Sequence, residues 1–100
     1  MDSLQADALD ECCLALYLEV PGSKVVLLQG LFELYEDLAV VRTLSVKRSL
    51  VCLITTKHML RECMAALESI REMVPWRPAA RPSDEERELY LGYFRKAKQI

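Results

Sequence analysis

Three segments of the chain carry the apolar patterns typical of β-strands, which are alternation or a short continuous apolar run. They are residues 12–20, 39–44 and 50–55. In the first segment one face carries four aliphatic side chains: Leu14, Leu16, Leu18 and Val20. The opposite faces of the first and third segments are also largely apolar. We therefore predict that these two strands are central in a sheet.

Two further segments carry apolar residues at spacings of three and four, the pattern of helices that bury one face. They are residues 24–37 and 57–73. Ser23 precedes the first helix and Thr55 or Thr56 the second, where a hydroxyl oxygen can accept hydrogen bonds from the free N–H groups of the first turn. Gly22 gives the turn before the first helix its conformational freedom. Gly30 lies within that helix, and we expect a close approach to the sheet there.

A third helix is predicted over residues 83–100, after a linker at residues 79–82. Ser83 and Glu86 have the spacing of a capping box, in which each residue satisfies a free N–H group of the other. Acidic residues begin this segment and basic residues end it, which matches the helix dipole. Its apolar face is rich in aromatic rings and should pack on the sheet or on a partner. That face consists of Leu89, Tyr90, Tyr93, Phe94 and Ala97.

The order strand, helix, hairpin, helix predicts an α+β domain of the ferredoxin-like βαββα(β) type, extended by the C-terminal helix. A last strand fits only as a short edge strand near residues 75–78, because the prolines there cannot donate hydrogen bonds to a ladder. The predicted organisation is an acidic N-terminal lead-in at residues 1–11, the domain at residues 12–78, the linker and the C-terminal helix.

Such a unit places both helices on one side of the sheet, so the other side of the central strands needs its own cover. An exposed apolar patch larger than a few hundred Å² usually marks an interaction site. Either the C-terminal helix or a second copy of the chain could supply the cover. We therefore expect self-association as a homodimer or a higher oligomer.

The composition argues against two classes of partner. The chain holds 15 acidic and 13 basic residues, whereas nucleic-acid-binding domains usually carry a basic excess. Tyr17 is the one aromatic residue on the two central strands, which is too few for an RNA-binding sheet that stacks bases. No apolar segment approaches the length of a membrane span, and the acidic first residues are unlike a secretion signal. We expect neither nucleic acid nor a membrane as a partner.

The cysteines lie in or beside apolar segments, where a reduced thiol behaves as a small hydrophobic group. They are Cys12, Cys13, Cys52 and Cys63. Reduced cysteines are typical of the cytoplasm, where we expect the protein. Cys13 and Cys52 would lie close together if the first and third strands pair. The adjacent Cys12 and Cys13 lack the C-x-x-C spacing of a redox pair, so we expect inert thiols.

No combination of acid, base and nucleophile typical of an enzyme is recognisable, so we expect no catalytic activity and no cofactor. His58 and Glu62 are four residues apart, but two ligands do not make a metal site, and a solvated histidine near a helix start is the simpler interpretation. Four basic residues could gather at one end of the sheet, either as an anion site or as a solvated rim. They are Lys47, Arg48, Lys57 and Arg61.

The chain resembles known families from Leu14 to Val74. The resemblance rests on the segment Leu16-Tyr-Leu-Glu-Val-Pro-Gly-Ser, the helix after it, the segment Leu38-Ala-Val-Val-Arg-Thr-Leu and the hairpin that leads to residues 59–70. These features are similar to a short bacterial family known only as a domain of unknown function. They also resemble ACT domains, which are βαββαβ regulators that bind amino acids.

In ACT domains the first strand-to-helix turn forms one wall of an effector site, often at an interface between two domains. The resemblance therefore implies a ligand site at Pro21, Gly22 and Ser23. It implies a regulatory or assembly module that self-associates and binds a small metabolite or amino acid.

The alternative is a protein–protein adaptor without a small-molecule ligand. It would dock through the C-terminal helix or through the region of Trp76, which is the large aromatic residue expected to be most exposed. For either function the expected interface residues are Tyr17, Trp76, Leu89, Tyr90, Tyr93 and Phe94.

Overall fold

The computed structural model describes residues 4–34 and 38–86, which form one antiparallel sheet of five strands and the helices packed against it. The strands are β1 (Ala6–Ala8), β2 (Cys13–Glu19), β3 (Val40–Ser45), β4 (Leu50–Thr56) and β5 (Arg77–Pro78). The helices are α1 (Val25–Glu33), which follows a 3₁₀ turn at Gly22–Lys24, and α2 (Leu60–Ser69). The α+β class expected from the sequence is confirmed.

The central strands of the sheet are β2 and β4, as the apolar pattern predicts. They pair along their full lengths, from Cys13 opposite Thr56 to Glu19 opposite Leu50. β3 pairs with the other side of β4 and forms one edge of the described sheet. The outer edge of β2 is shared by β1, opposite residues 14–16, and by β5, opposite residues 18 and 19. All of these pairings are antiparallel.

The main core lies between the helices and one face of the sheet. Its fully buried side chains include Leu16, Leu18, Val51 and Leu53 of the sheet, Leu28 of α1 and Leu67 of α2. Burial of each such side chain stabilises the fold by about 1.5–3 kcal/mol. The buried Thr55 satisfies its hydroxyl by donating to the Leu38 carbonyl oxygen at 2.7 Å, which fixes the chain that enters β3 against the end of β4.

The second face of the sheet is also buried, and it is buried within this single chain. Ala15, Tyr17 and Cys52 are at most 2% exposed, with Leu9 and Ala79 packed beside them. The apolar pattern on both faces of β2 and β4 is thus explained without a second copy. The expected open face, which was the reason to predict a homodimer, does not exist in the folded chain, so self-association needs another surface.

The acidic N-terminal segment is more than a lead-in, because residues 6–8 form β1. Asp10 makes the turn from β1 into β2. Its Oδ1 accepts hydrogen bonds from the N–H groups of Cys12 and Cys13, at 2.8 and 2.7 Å. An aspartate that bonds its own downstream backbone in this way stabilises a turn. β1 itself has small side chains and only three residues, which is too little pattern to predict a strand.

Both helices are shorter than the apolar spacing predicts. α1 ends at Glu33, and residues 35–37 of the predicted helix lie outside the described residues. Residues 57–59 form a turn before α2, and Thr56 stabilises it because its Oγ1 accepts from the Met59 N–H at 3.2 Å. Ser23 makes no cap bond, because it lies within the 3₁₀ turn, where the Lys24 N–H donates to the Pro21 carbonyl.

Gly22 and Gly30 do not have the roles that the sequence suggests. Neither has a positive φ, and a Cβ atom at either position would meet nothing within 4 Å. Gly30 is on the exposed side of α1, so the predicted close approach to the sheet is wrong. The residue with a positive φ is Ser49, at 54°, in the turn between β3 and β4.

The predicted third helix is described only at its start. Residues 84–86 are helical, and the Ser83 hydroxyl oxygen accepts from the Glu86 N–H at 3.2 Å, as the capping box predicts. The predicted apolar face, with Leu89, Tyr90, Tyr93 and Phe94, lies outside the described residues. Within the described part of the chain, no helix combines the length and the apolar character needed to cross a membrane.

Candidate functional site

Three segments of the chain meet at the end of the sheet that carries the β3–β4 turn, and a cleft of about 620 Å³ opens between them. They are the residues that follow β2, the turn itself, and the residues between α2 and β5. The Val20 N–H donates to the Ser49 carbonyl oxygen at 2.9 Å, which joins the first two segments. Pairing of β5 with β2 holds the third. We call this the basic cleft, and it is lined by Glu19, Val20, Pro21, Lys47, Arg48, Ser49, Arg71, Pro75, Trp76 and Arg77.

Cations dominate the charge of the basic cleft, because Glu19 is the one carboxylate among the described residues that line it. Arg77 Nη2 lies 2.6 Å from Glu19 Oε2 at the rim. The other two arginines pair with carboxylates outside the lining: Arg48 Nη1 lies 2.7 Å from Glu86 Oε2, and Arg71 Nη1 lies 2.9 Å from Glu68 Oε1. Lys47 has no ion pair among the described residues. Exposed ion pairs contribute little net energy, so these arginines can exchange their partners for a ligand.

Trp76 forms a wall of the basic cleft that orients one of these cations. The Arg71 guanidinium carbon lies 4.1 Å from the centroid of the Trp76 ring, within the range of a cation–π contact. The indole N–H donates to the Leu67 carbonyl oxygen at 2.7 Å. The ring is only 4% exposed, so the expectation of an exposed Trp76 is wrong. The flanking prolines indicate a loop, but the sequence does not show that a carbonyl of α2 lies within reach of the indole.

The structure separates the residues that the sequence places at a ligand site. Pro21 lines the basic cleft, whereas Gly22 and Ser23 are exposed residues of the 3₁₀ turn and do not line it. Of the four basic residues expected at one end, Lys47 and Arg48 do lie together. Lys57 is at the opposite end of the sheet, where its N–H donates to the Cys12 carbonyl.

Arg71 and Arg77 complete the cluster, and sequence reasoning missed both. Arg71 follows α2 and lies within the segment 57–73 that the sequence predicts as a helix. Arg77 belongs to the Pro75-Trp76-Arg77-Pro78 motif, whose prolines indicate the end of a helix and not a binding site. The one available signal was a short edge strand beside the first strand, since that pairing carries residue 77 to the β2 end.

Tyr17, an expected interface residue, lies inside the chain. It is 2% exposed, and its hydroxyl donates to Asp7 Oδ2 at 2.7 Å. The other oxygen of that carboxylate, Asp7 Oδ1, accepts from Arg81 Nε at 3.0 Å. The hydroxyl therefore ties β1, and through it the segment before the third helix, to the central strand.

None of the four cysteines forms a disulfide, and their burial separates them into one exposed and three buried thiols. Burial raises the pKa of Cys52 to about 12 and that of Cys63 to about 11, so both stay protonated and unreactive near neutral pH. Cys13 and Cys52 are not neighbours, because the register sets Cys13 opposite Thr56 and Cys52 opposite Tyr17. The exposed thiol is that of Cys12.

The residues considered for a metal do not assemble in the described part of the chain. His58 is exposed in the turn before α2 and does not share a helix with Glu62. Among residues 4–34 and 38–86, no group of three or more histidine, cysteine, aspartate or glutamate residues is placed to hold a metal ion.

Residues 18–74, more than half of the chain, match the family described as Domain of unknown function (DUF4911). The matched range contains Pro21, the β3–β4 turn and Arg71 of the basic cleft, whereas Trp76 and Arg77 follow it. No curated protein and no solved structure matches the chain. The expected kinship with a family of unknown function is confirmed. The chain belongs to the family described as Domain of unknown function (DUF4911).

Proposed function

We propose that this protein is an ACT-like regulatory or assembly module that self-associates and binds a small anionic metabolite in the basic cleft. The observation that carries the proposal is the gathering of Lys47, Arg48, Arg71 and Arg77 around one cleft that also includes Pro21. Guanidinium groups match the geometry of carboxylates and phosphates, and charge-assisted hydrogen bonds to them are the strong ones. The ligand is therefore an oxyanion.

The strand order supports the ACT-like part of the proposal. α1 connects β2 to β3, α2 connects β4 to β5, and these four strands lie in the order β5, β2, β4, β3. A ferredoxin-like βαββαβ unit has the same order, and β1 is an addition to it. The strand-to-helix turn that forms a wall of the effector site in ACT domains corresponds here to Pro21, which lines the basic cleft.

The lining of the cleft favours binding over catalysis. It contains no histidine and no cysteine, and its carboxylate, Glu19, is held by Arg77. A non-enzymatic role in the cytoplasm fits these residues and the four free thiols.

Self-association is the second half of the proposal, and it is supported by the outer edge of β3, with which no strand of the described residues pairs. A strand at a sheet edge presents backbone N–H and C=O groups that can pair with another strand. Val40 at the start of β3 is 51% exposed. It lines a groove of about 350 Å³ between α1 and β3, with Gln29, Phe32, Glu33, Ala39 and Val41. A second copy is the natural occupant, because two identical edges pair antiparallel about a two-fold axis.

A thermal-shift titration tests the anion site. Phosphate, pyrophosphate and dicarboxylates are added at constant ionic strength to the wild type, to Lys47→Gln and Arg77→Gln, and to the control Lys57→Gln at the other end of the sheet. We expect at least one anion to raise the Tm of the wild type, because a ligand of the native state stabilises it by mass action. Loss of one cleft cation should weaken binding about tenfold, the equivalent of about 1.4 kcal/mol.

The control variant decides what the titration means. Lys57→Gln should bind like the wild type, since its charge lies far from the cleft. An equal loss in all three variants would indicate general charge screening and contradict the site. If no anion shifts the Tm, the proposal fails and the adaptor without a small-molecule ligand is favoured. Val26 and Leu34, which are exposed on and after α1, would then be its contact surface.

A further inference from the structure

One ion pair links the basic cleft to the start of the third helix. Glu86 Oε2 accepts from Arg48 Nη1 at 2.7 Å, and Glu86 Oε1 accepts from the Ser83 hydroxyl at 3.2 Å. The same hydroxyl oxygen accepts from the Glu86 N–H. Glu86 is therefore both a counter-ion of the cleft and a part of the capping structure that begins the helix.

The other two arginine pairs of the cleft do not have this property. Glu68 is three residues before Arg71 in the chain, and Glu19 is opposite Arg77 in the β2–β5 pairing. Both carboxylates belong to elements that already border the cleft. Among the described contacts, Arg48 is the one of these three arginines whose carboxylate partner belongs to neither β2 nor α2, since Glu86 lies after β5.

We propose that a phosphate-bearing ligand of the basic cleft takes Arg48 from Glu86, so that ligand binding loosens the helical turn at residues 84–86. This inference rests on the proposed function, because it needs an anion in the cleft. It adds the class of the ligand and the segment that responds to it.

The competition with Glu86 determines the class of the ligand. A carboxylate of the same chain acts at an effective concentration of about millimolar, so a single free carboxylate group at a lower concentration cannot displace it. Lys47 precedes Arg48 in the same turn and has no ion pair among the described residues. A phosphate or diphosphate group has enough acceptor oxygens to contact Lys47 and Arg48 at once. A single carboxylate held by Arg48 lacks the second contact.

The displacement costs little on the protein side. In the Arg48–Glu86 pair the side chains are 59% and 37% exposed. An ion pair this exposed contributes little net stability. The coupling is reciprocal: the factor by which the Arg48–Glu86 contact weakens ligand binding equals the factor by which the bound ligand weakens that contact.

Calorimetric titration with pyrophosphate tests the competition in the full chain. The variants are Glu86→Gln and the matched control Glu85→Gln, which removes the same charge from the adjacent position. Glu85 is exposed and makes no ion pair among the described residues. We expect Glu86→Gln to bind pyrophosphate about three- to fivefold more tightly than the wild type, because an exposed ion pair opposes the ligand by no more than that. Glu85→Gln should stay within about twofold, and acetate should not compete with pyrophosphate.

A second measurement reports the contact itself. The hydrogen bond from Arg48 holds the pKa of the Glu86 carboxyl below its ordinary value. Titration of the side-chain carboxyl carbons by NMR should show this pKa rising when pyrophosphate saturates the cleft, with the Glu85 carboxyl as the internal reference for the added charge.

The outcomes separate the two proposals. If the wild type binds pyrophosphate but neither Glu86→Gln nor the Glu86 pKa responds, the competition is wrong and the anion site stands. Equal tightening in Glu86→Gln and Glu85→Gln would reduce the effect to net charge and also overturn the competition. If neither the wild type nor Glu86→Gln binds any phosphate compound, the competition is wrong, and the anion site is also wrong if no dicarboxylate binds.

Discussion

At the scale of single residues, Ser49 sets the geometry of the basic cleft. Its φ of 54° lies in the left-handed region, which residues other than glycine, asparagine and aspartate seldom adopt. This conformation turns the chain between Arg48 and β4, with the Ser49 N–H donating to the Val46 carbonyl oxygen. It also presents the Ser49 carbonyl oxygen to the Val20 N–H, and this hydrogen bond joins the turn to the end of β2. The contact therefore depends on a backbone conformation that is unfavourable for serine.

We expect Ser49→Val to lower the free energy of unfolding by about 1–2 kcal/mol, because a β-branched side chain fits the left-handed region poorly. Ser49→Gly should be neutral or stabilising. Urea denaturation measures both. Ser23→Val is the matched control, since Ser23 is exposed, has no positive φ and makes no cap bond. Equal effects of valine at both positions would show that Ser49 is not held in the left-handed conformation in solution.

At the scale of elements, α1 contains a position that is not optimal for stability. Gly30 is in the interior of the helix and exposed, and a Cβ atom there meets nothing within 4 Å. Glycine in a helix interior is less favourable than alanine by about 0.5–1 kcal/mol, because it loses more backbone freedom on folding.

Gly30→Ala should therefore raise the free energy of unfolding by about 0.5–1 kcal/mol, measured by urea denaturation. Gly22→Ala is the comparison, since Gly22 also has open space around its Cα but lies in the 3₁₀ turn outside the α-helix. Its effect should be smaller. A loss of stability in Gly30→Ala would mean that this side of α1 is covered in solution, as a partner on the helix would cover it.

Local pattern predicted the long strands and allowed β5 as a short edge strand near residues 75–78, but it missed β1. β2 and β4 lie within one residue of the segments that alternation indicates, because a strand buried on both faces has a strong apolar signature. β1 and β5 have three and two residues, and they exist because the outer edge of β2 offers hydrogen bonds to them. The observed helix ends differ from the predicted ones because Lys24 belongs to the 3₁₀ turn before α1, and because turns replace the predicted helical residues at both ends of α2.

The residues of the basic cleft also fall into a predicted group and a group that the sequence did not reveal. Lys47 and Arg48 are adjacent in the chain and were predicted to belong to one cluster. Arg71 and Arg77 join them only because α2 ends beside the β2 end and β5 pairs there, and both facts are tertiary. The position of Glu86 against Arg48 is also tertiary, so no spacing in the sequence reveals it.

At the scale of the whole molecule, the distribution of charge matters more than the net charge. The chain has a net charge of −2, and yet one cleft has four cations and one carboxylate in its lining. A small negative net charge argues against binding to the long anionic surface of nucleic acid, while a local cluster of cations still suits a small oxyanion. The fold thus gathers cations in one place, which the composition does not reveal.

The outer edge of β3, which no strand among residues 4–34 and 38–86 covers, should determine how the molecule assembles. We expect the wild type to form a dimer that dissociates on dilution, measured by sedimentation velocity over a range of concentrations. Val40→Lys should raise the dimer Kd at least about tenfold, because a lysine on an edge strand opposes pairing with a second strand. Val40 is 51% exposed, so the change should leave the fold intact.

Met73→Lys provides the matched control for the edge, because Met73 is 49% exposed and lies after α2, away from β3. It introduces the same charge on an equally exposed apolar side chain and should leave the dimer Kd unchanged. Since both faces of the central strands are buried within one chain, an edge contact is the assembly that this sheet still permits without unfolding. A wild type that stays monomeric at millimolar concentration, or a dimer weakened equally by both variants, would show that β3 is not the interface.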